Sequence, residues 1–312
     1  MKTFEQLRII FFGTTEFAVA SLGALVAAGG QVVAVVTAPD KPAGRGMQLH
    51  EPPVKEYALS KGLPILQPEK LKSPAFLEVL KNLAADLQVV VAFRMLPEVV
   101  WNMPPMGTIN VHASLLPQYR GAAPINWAIV NGENETGVTT FKLKHEIDTG
   151  DILMQEVVRI KPEDNAGVLH DRLMQAGAGL LIKTIRGLAA GSLHEQPQRE
   201  IKEAELKKAP KIFKEGLLID WNKPVREIDN FIRGMSPYPA AYTVIGEKMV
   251  KVFDSDYRQE PTHGIAPGTL ETDHATFLRI AGDDGWIYID QLQQEGKKRM
   301  NVVDFLRGFR KI

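Results

Sequence analysis

The chain has 312 residues, 45% hydrophobic and 24% charged, with 37 Lys plus Arg balanced by 37 Asp plus Glu. This is the composition of a globular protein long enough for two domains, and it excludes a disordered or fibrous chain. With no cysteine, disulfides, thiolate metal sites and cysteine nucleophiles are excluded, and the balanced charge leaves a polyanionic partner to be met by a local patch.

No apolar run approaches a membrane span, and Met1 to Arg8 leads into a strand without the apolar core of a secretory signal, so a cytoplasmic location is expected. Arg8 to Phe12 predicts a strand, Ala18 to Ala28 a helix stopped by Gly29-Gly30, and Gln31 to Thr37 a second strand. After Gly13 this βαβ opening lacks the second and third glycines of G-x-G-x-x-G, which argues against a nicotinamide cofactor. Ala38 to Pro53 carries four prolines and no periodicity, and reads as an irregular loop, either functional or a rigid surface connection. Val54 to Lys61 predicts a helix, Pro64 to Leu66 a short strand and Pro74 to Ala85 a helix. Leu87 to Phe93 is the most apolar strand and is expected at the sheet centre.

The stretch Gly107 to Pro124 is different. It starts as a strand, yet Asn110 and His112 fall at i and i+2, which puts both polar side chains on one side before a Pro/Gly-rich loop. Such a pair either caps the loop or exposes chemistry at the carboxyl end of a sheet. Ala123 to Val130 predicts a helix. Gly137 to Leu143 and Ile152 to Ile160 predict strands flanking Ile147-Asp148-Thr149-Gly150-Asp151, and Leu169 to Ala190 a long amphipathic helix ended by Gly191. Residues 1–191 are thus expected to form a doubly wound α/β domain. Residues 192–213 are charged and polar and read as an interdomain linker, in which the lysines are solvated or form a basic patch. Residues 214–312 hold a helix from Val225 to Met235 and then, from Tyr242, short Gly-punctuated β segments expected to form a small β-barrel.

Asp148 adds a third polar group, in a turn between two strands expected to join the same sheet. Ser114 lies near His112, but Ala-Ser-Leu-Leu-Pro is not a G-x-S-x-G elbow, which disfavours a hydrolase triad. The seven histidines include no H-x-H or H-x-x-x-H cluster, so no metal is expected. What remains is attack by a bound nucleophile on an activated carbonyl, with a proton-transfer pair and an oxyanion donor.

The run Asn110-Val-His112-Ala-Ser-Leu-Leu-Pro-Gln-Tyr-Arg-Gly-Ala-Ala-Pro124 with Asp148-Thr-Gly-Asp resembles the signature of the folate-dependent formyltransferases. Gly13-Thr14 with Phe17, the loop Pro39-Asp-Lys-Pro-Ala-Gly-Arg-Gly46 and Ile219-Asp-Trp221 resemble the branch of that family acting on initiator tRNA. The resemblance implies a Rossmann-like catalytic domain joined to a barrel similar to an oligonucleotide-binding fold. It implies transfer of formyl from 10-formyltetrahydrofolate to the α-amino group of initiator methionyl-tRNA; from the residues themselves no metal and no membrane partner are expected, and the chain is expected to be a monomer. Asn110, His112 and Asp148 match the catalytic trio: Asn110 as oxyanion donor, His112 as charged donor, and Asp148 holding His112 and relaying a proton. Ser114, Leu115, Leu116 and Pro117, with Val91, Phe93 and Leu96, match the folate-binding segments. Lys41 and Arg45 fall in the loop that meets the acceptor stem, and Lys207, Lys208, Lys211, Lys297, Lys298 and Arg299 are phosphate-contact candidates. Arg120 either meets the folate tail or stabilises its loop. Phe93-Arg94-Met95 and Lys144-His145-Glu146-Ile147 depart from the family's commoner sequences beside the folate pocket. Competing expectations are another 10-formyltetrahydrofolate-dependent enzyme, acting on a small amine or on water, and a noncatalytic folate- or RNA-binding protein, which would not need the three polar residues together.

Overall fold

In the computed structural model, which describes residues 2–43 and 48–308, strands and helices alternate through the first half of the chain. They run β1 (Arg8–Gly13), α1 (Glu16–Ala27), β2 (Gln31–Val36), β3 (Lys41–Ala43), β4 (Gln48–His50), α2 (Pro53–Ser60), β5 (Ile65–Leu66), α3 (Pro74–Asn82) and β6 (Leu87–Val91). There follow α4 (Glu98–Trp101), β7 (Thr108–His112), β8 (Arg120–Gly121), α5 (Pro124–Val130), β9 (Glu135–Lys142), β10 (Ile152–Arg159) and α6 (Ala166–Ala189).

By packing, the chain divides into two compact units, one of Met1–Arg120, Thr136–Val158 and Asp171–Lys207, the other of Gly121–Glu135, Arg159–His170 and Lys208–Ile312. This differs from a boundary drawn between 191 and 214 in two ways. Segments on either side of β9 and β10 go with the C-terminal unit, and residues 192–207 go with the first. Gln196 of that supposed linker exchanges both backbone hydrogen bonds with Ile152, at 2.8 and 2.9 Å.

The first unit holds a seven-stranded sheet in the order β10-β9-β7-β6-β1-β2-β5. Strand β6 is the middle one and all five of its residues are buried, four of them apolar and the fifth, Gln88, accepting a hydrogen bond from Thr108 Oγ1 at 3.0 Å. β1 pairs in parallel with β2 on one side and β6 on the other, so the order reverses there, and a doubly wound sheet opens a crevice at the strands' carboxyl ends at such a point. Gly13 of β1 is level with Val91 of β6, which is level with Val111 of β7. β9 closes on β7 antiparallel, with Thr139 opposite His112. The loop expected to be irregular contains a hairpin instead: β3 and β4 pair antiparallel, Lys41 with His50 and Pro42 with Leu49. Three-residue strands are too short to show a period, which is why the sequence pattern missed them. At its base Asp40 accepts hydrogen bonds from Lys55 Nζ and, at 2.7 Å, from Gln67 Nε2.

The second unit contains β11 (Lys208–Ala209), α7 (Val225–Met235), β12 (Ala241–Ile245), β13 (Lys248–Arg258), β14 (Leu270–Thr272), β15 (Leu278–Ala281), β16 (Trp286–Gln294), β17 (Met300–Asn301) and α8 (Val302–Arg307). Strands β12-β13-β16-β15-β14, with β17 on β16, form an antiparallel sheet that curls as a half-barrel. Two register breaks in β13, between Val252 and Ser255, supply local coil. Val225, Ile228, Ile232 and Met235, spaced on one face of α7, pack into the core with Val250, Val252, Ile287 and Ile289. α8 corrects the expectation of β structure to the end: Asn301 caps it by accepting the Asp304 N–H at 2.8 Å, and Val302, Phe305 and Leu306 join the core. Within this unit Asn126 donates to the Gly234 carbonyl at 2.8 Å and Arg233 to the Asp164 carbonyl at 2.6 Å, which is why the segments around 126 and 164 belong to it.

Candidate active site

Strand β7 delivers Asn110 and His112 to one face at the carboxyl edge of the sheet, next to the reversal of strand order. Asn110 is half-buried, and its carboxamide makes no hydrogen bond to the described residues. His112 is 8% exposed and its Nε2 lies 2.9 Å from the Tyr119 carbonyl. A carbonyl only accepts, so Nε2 carries the hydrogen and proton exchange is left to Nδ1. Nδ1 faces Asp148 Oδ2 at 3.8 Å, beyond hydrogen-bond range but an ion-pair distance once Nδ1 is protonated.

The turn carrying Asp148 is held from several sides. Asp148 has φ 55°, the left-handed region that Asp tolerates better than most residues at a cost of about 1 kcal/mol. Gly150 has no room for a side chain, since a Cβ there would fall 1.5 Å from the Lys142 carbonyl oxygen. Gln198 Nε2 donates to the carbonyls of Asp148 and Gly150, at 2.7 and 2.9 Å. Arg120 donates to Gln198 Oε1 from Nε and Nη2, at 3.2 and 2.6 Å, so in this structure it braces a loop.

The run Ser114 to Pro117 is fixed by strand residues that sequence reasoning passed over. Thr139 Oγ1 donates to the Ser114 carbonyl at 2.6 Å and accepts from the Leu116 N–H at 3.2 Å. Gln155 Nε2 donates to the Leu116 carbonyl and to Thr139 Oγ1, both at 2.9 Å. Ser114 Oγ itself donates to the Gln118 carbonyl at 2.7 Å. Leu115 lies over Gly137, where a Cβ would come 2.5 Å from Leu115 Cδ2. Val91 and Leu116 are buried. Leu96 and Phe93 join a core cluster, Phe93 edge-on to Phe12 with centroids 5.6 Å apart. Arg94 turns to the carbonyls of Pro68 and Glu69. His145 is exposed and pairs with Glu98 at 3.2 Å, whereas His112 shares the strand face with Asn110. Among the described residues no group of three or more His, Asp or Glu is placed to hold a metal ion.

The basic residues other than Arg45 are exposed. In the first unit Lys41 lies on the β3–β4 hairpin, Arg45 falls outside the described residues, and the Lys207 carbonyl receives the Tyr119 N–H at 2.6 Å. In the second, Lys208 is on β11, Lys211 Nζ is 5.4 Å from the Phe213 ring, and Lys297 and Lys298 occupy the turn before β17. Arg299 stacks 4.4 Å over Phe253 and donates to Gln291 at 2.9 Å.

Two family models match the chain: formyl transferase over residues 7–185, and formyl transferase, C-terminal domain, over 211–310. A methionyl-tRNA formyltransferase of Bacteroides fragilis is 54% identical over 311 residues, 98% of this chain and 96% of that protein. Among solved structures, an N-formyltransferase from Helicobacter canadensis in complex with folinic acid and dTDP-3-aminofucose matches with TM-score 0.66 at 21% identity, over 92% of this chain and all of that one. HypX from Aquifex aeolicus in complex with tetrahydrofolic acid matches with TM-score 0.65 at 18% identity, over 96% of this chain, which spans 47% of that chain's length. At these identities the two structures share the fold.

Proposed function

The chain belongs to the formyl transferase family, and we propose that it moves the formyl group of 10-formyltetrahydrofolate onto the α-amino group of initiator methionyl-tRNA. The observation that carries the reading is the convergence of Asn110, His112 and Asp148 at the carboxyl edge of the sheet, in a chain 54% identical to a methionyl-tRNA formyltransferase over nearly its whole length.

In the proposed reaction the amine nitrogen bonds to the formyl carbon, the carbonyl oxygen becomes an oxyanion, and the bond to the folate nitrogen breaks as that nitrogen takes up a proton. The Asn110 carboxamide, with no partner among the described residues, is available to donate to the oxyanion. His112 donates from Nδ1, since Nε2 is committed to Tyr119. Asp148 stabilises the charge that His112 then carries and takes part in passing the amine proton to the leaving nitrogen. The Ser114 to Pro117 loop, pinned by Thr139 and Gln155, is the proposed folate rest. Lys41, Arg45 and the basic residues around 207–211 and 297–299 are the proposed phosphate contacts, each adding to salt-dependent affinity.

Purified protein supplied with 10-formyltetrahydrofolate and, in separate reactions, charged initiator tRNA, glycinamide ribonucleotide, a dTDP-amino sugar or water decides the acceptor. Formyl-methionyl-tRNA is the expected product. Formylation of either small amine with none on the tRNA would sink the assignment.

A further inference from the structure

We infer that Gln198 is a positioning residue for the His112–Asp148 pair, held in its working orientation by Arg120. The inference rests on the reading of that pair as the centre that handles the proton. The carboxamide is fully used: Oε1 takes two hydrogen bonds from Arg120, at 3.2 and 2.6 Å, and Nε2 gives two, to the carbonyls of Asp148 and Gly150 at 2.7 and 2.9 Å. A guanidinium cannot accept and a carbonyl cannot donate, so the partners alone dictate which end of the amide points where. No other neutral side chain of that length offers two donors and an acceptor in one plane.

The bonds form a circuit. The His112 ring donates to the Tyr119 carbonyl, Arg120 is the next residue, its side chain holds Gln198, and Gln198 holds the backbone of Asp148. The Asp148 carboxylate closes the circuit 3.8 Å from the ring where it began. Gln198 thus ties the support of the imidazole to the support of the carboxylate. The Asp148 backbone is left-handed at φ 55°, a conformation that persists only where its surroundings enforce it. Gln198 is itself anchored from behind, because Gln196 exchanges backbone hydrogen bonds with Ile152 at 2.8 and 2.9 Å.

The test compares Gln198→Leu, Gln198→Glu, Arg120→Lys and Arg120→Leu with the parent protein. Gln196→Ala, which keeps its backbone pairing, is the control. Gln198→Glu has the same length and can still receive Arg120, but it cannot donate to the two carbonyls. Misplacement of a reacting group by an ångström costs on the order of a hundredfold. We expect kcat to fall about tenfold to a hundredfold in both Gln198 variants, with KM for both substrates within about twofold. Arg120→Lys should retain more turnover than Arg120→Leu, and the control should match the parent. In protein labelled at the histidine ring, the His112 imidazole signals should move or broaden in Gln198→Glu. Unchanged kcat with unmoved His112 signals would overturn the inference, as would a rise in KM alone. If the parent transfers no formyl group to any acceptor, the proposed function fails, and the His112 signals still decide whether Gln198 positions the pair. Should Gln198→Leu not fold, the isosteric Gln198→Glu carries the comparison.

Discussion

The imidazole of His112 has one nitrogen engaged by a backbone carbonyl and one turned to a carboxylate, and that asymmetry sets what each substitution should do. Asn110→Ala and His112→Ala each remove a proposed donor to the oxyanion and should lower kcat by about a hundredfold or more. Asp148→Asn is the informative change at the third position, because Asn accepts the left-handed backbone of φ 55° while removing the charge. Its turnover should fall comparably with an unchanged melting temperature. Gly150→Ala tests geometry instead of chemistry. The Cβ would overlap the Lys142 carbonyl, so the turn must shift, and kcat should drop at least tenfold in a protein that still folds. Steady-state kinetics with thermal unfolding checks all four. At this scale the two-residue spacing of Asn110 and His112 was legible because a strand's period is two. The support beneath them was not. Tyr119 and Leu116 act through backbone groups, which no residue type announces, and Gln198 sits in a polar stretch where a bridging glutamine looks like any solvated one.

The hairpin of β3 and β4 is fastened at its base by Asp40. The hydrogen bond from Lys55, and then that from Gln67, hold the Asp40 carboxyl below its ordinary range, while Asp40 and Glu51 raise Lys55 above the usual lysine value. A depressed carboxylate contributes stability above its unfolded value and loses it as pH falls through the folded one; a raised lysine contributes below its unfolded value and loses it as pH rises through the folded one. Amide protection of the opposed residues Lys41 and His50, corrected for intrinsic exchange, should therefore stay level between about pH 5 and 9. It should fall on acidification below the ordinary carboxylate range, and Asp40→Asn should lose it throughout. Helix α7 offers a test of opposite sign. In an exposed helix interior Gly→Ala stabilises by about 1 kcal/mol, but a Cβ at Gly234 would lie 2.6 Å from Val130 Cγ2 and 3.0 Å from the Asn126 carbonyl. Gly234→Ala should therefore lower the denaturant midpoint, and Val130→Ala in the same chain should restore part of the loss. Long elements such as α6 and α7 were readable from apolar spacing. β3, β4 and α8 were too short to display a period, and tertiary pairing or a cap decides them.

For the molecule as a whole, the division into units matters more than the order of the two family matches. Gly121–Glu135 and Arg159–His170 pack with residues beyond 208, through Asn126 on Gly234 and Arg233 on Asp164. Arg233 also binds Asp229, whose carboxyl burial pushes above its usual range while Ser255 and Arg233 pull the other way. A fragment ending at residue 213 should be unfolded or aggregated, or melt well below the full chain, because these segments would keep apolar faces and polar groups with nothing to meet. Calorimetry and light scattering of fragment and full chain make the comparison. Two packed units could be expected from length and texture, but the return of α5 to the second could not, since helix α5 reads the same whichever core receives it.

The interleaving has a consequence for synthesis on the ribosome. Helix α5, with Ala128 and Ile129 destined for full burial, leaves the ribosome about 90 residues before helix α7 begins, a wait of roughly 5–20 s at ordinary elongation rates. During that interval the strand that bears Asn110 and His112 and the two strands that flank the Asp148 turn are all available to pair, while the helix threaded between them has no partner. A nascent chain stalled in that window should recruit a chaperone at α5, and release of the chain through Met235 should end the association.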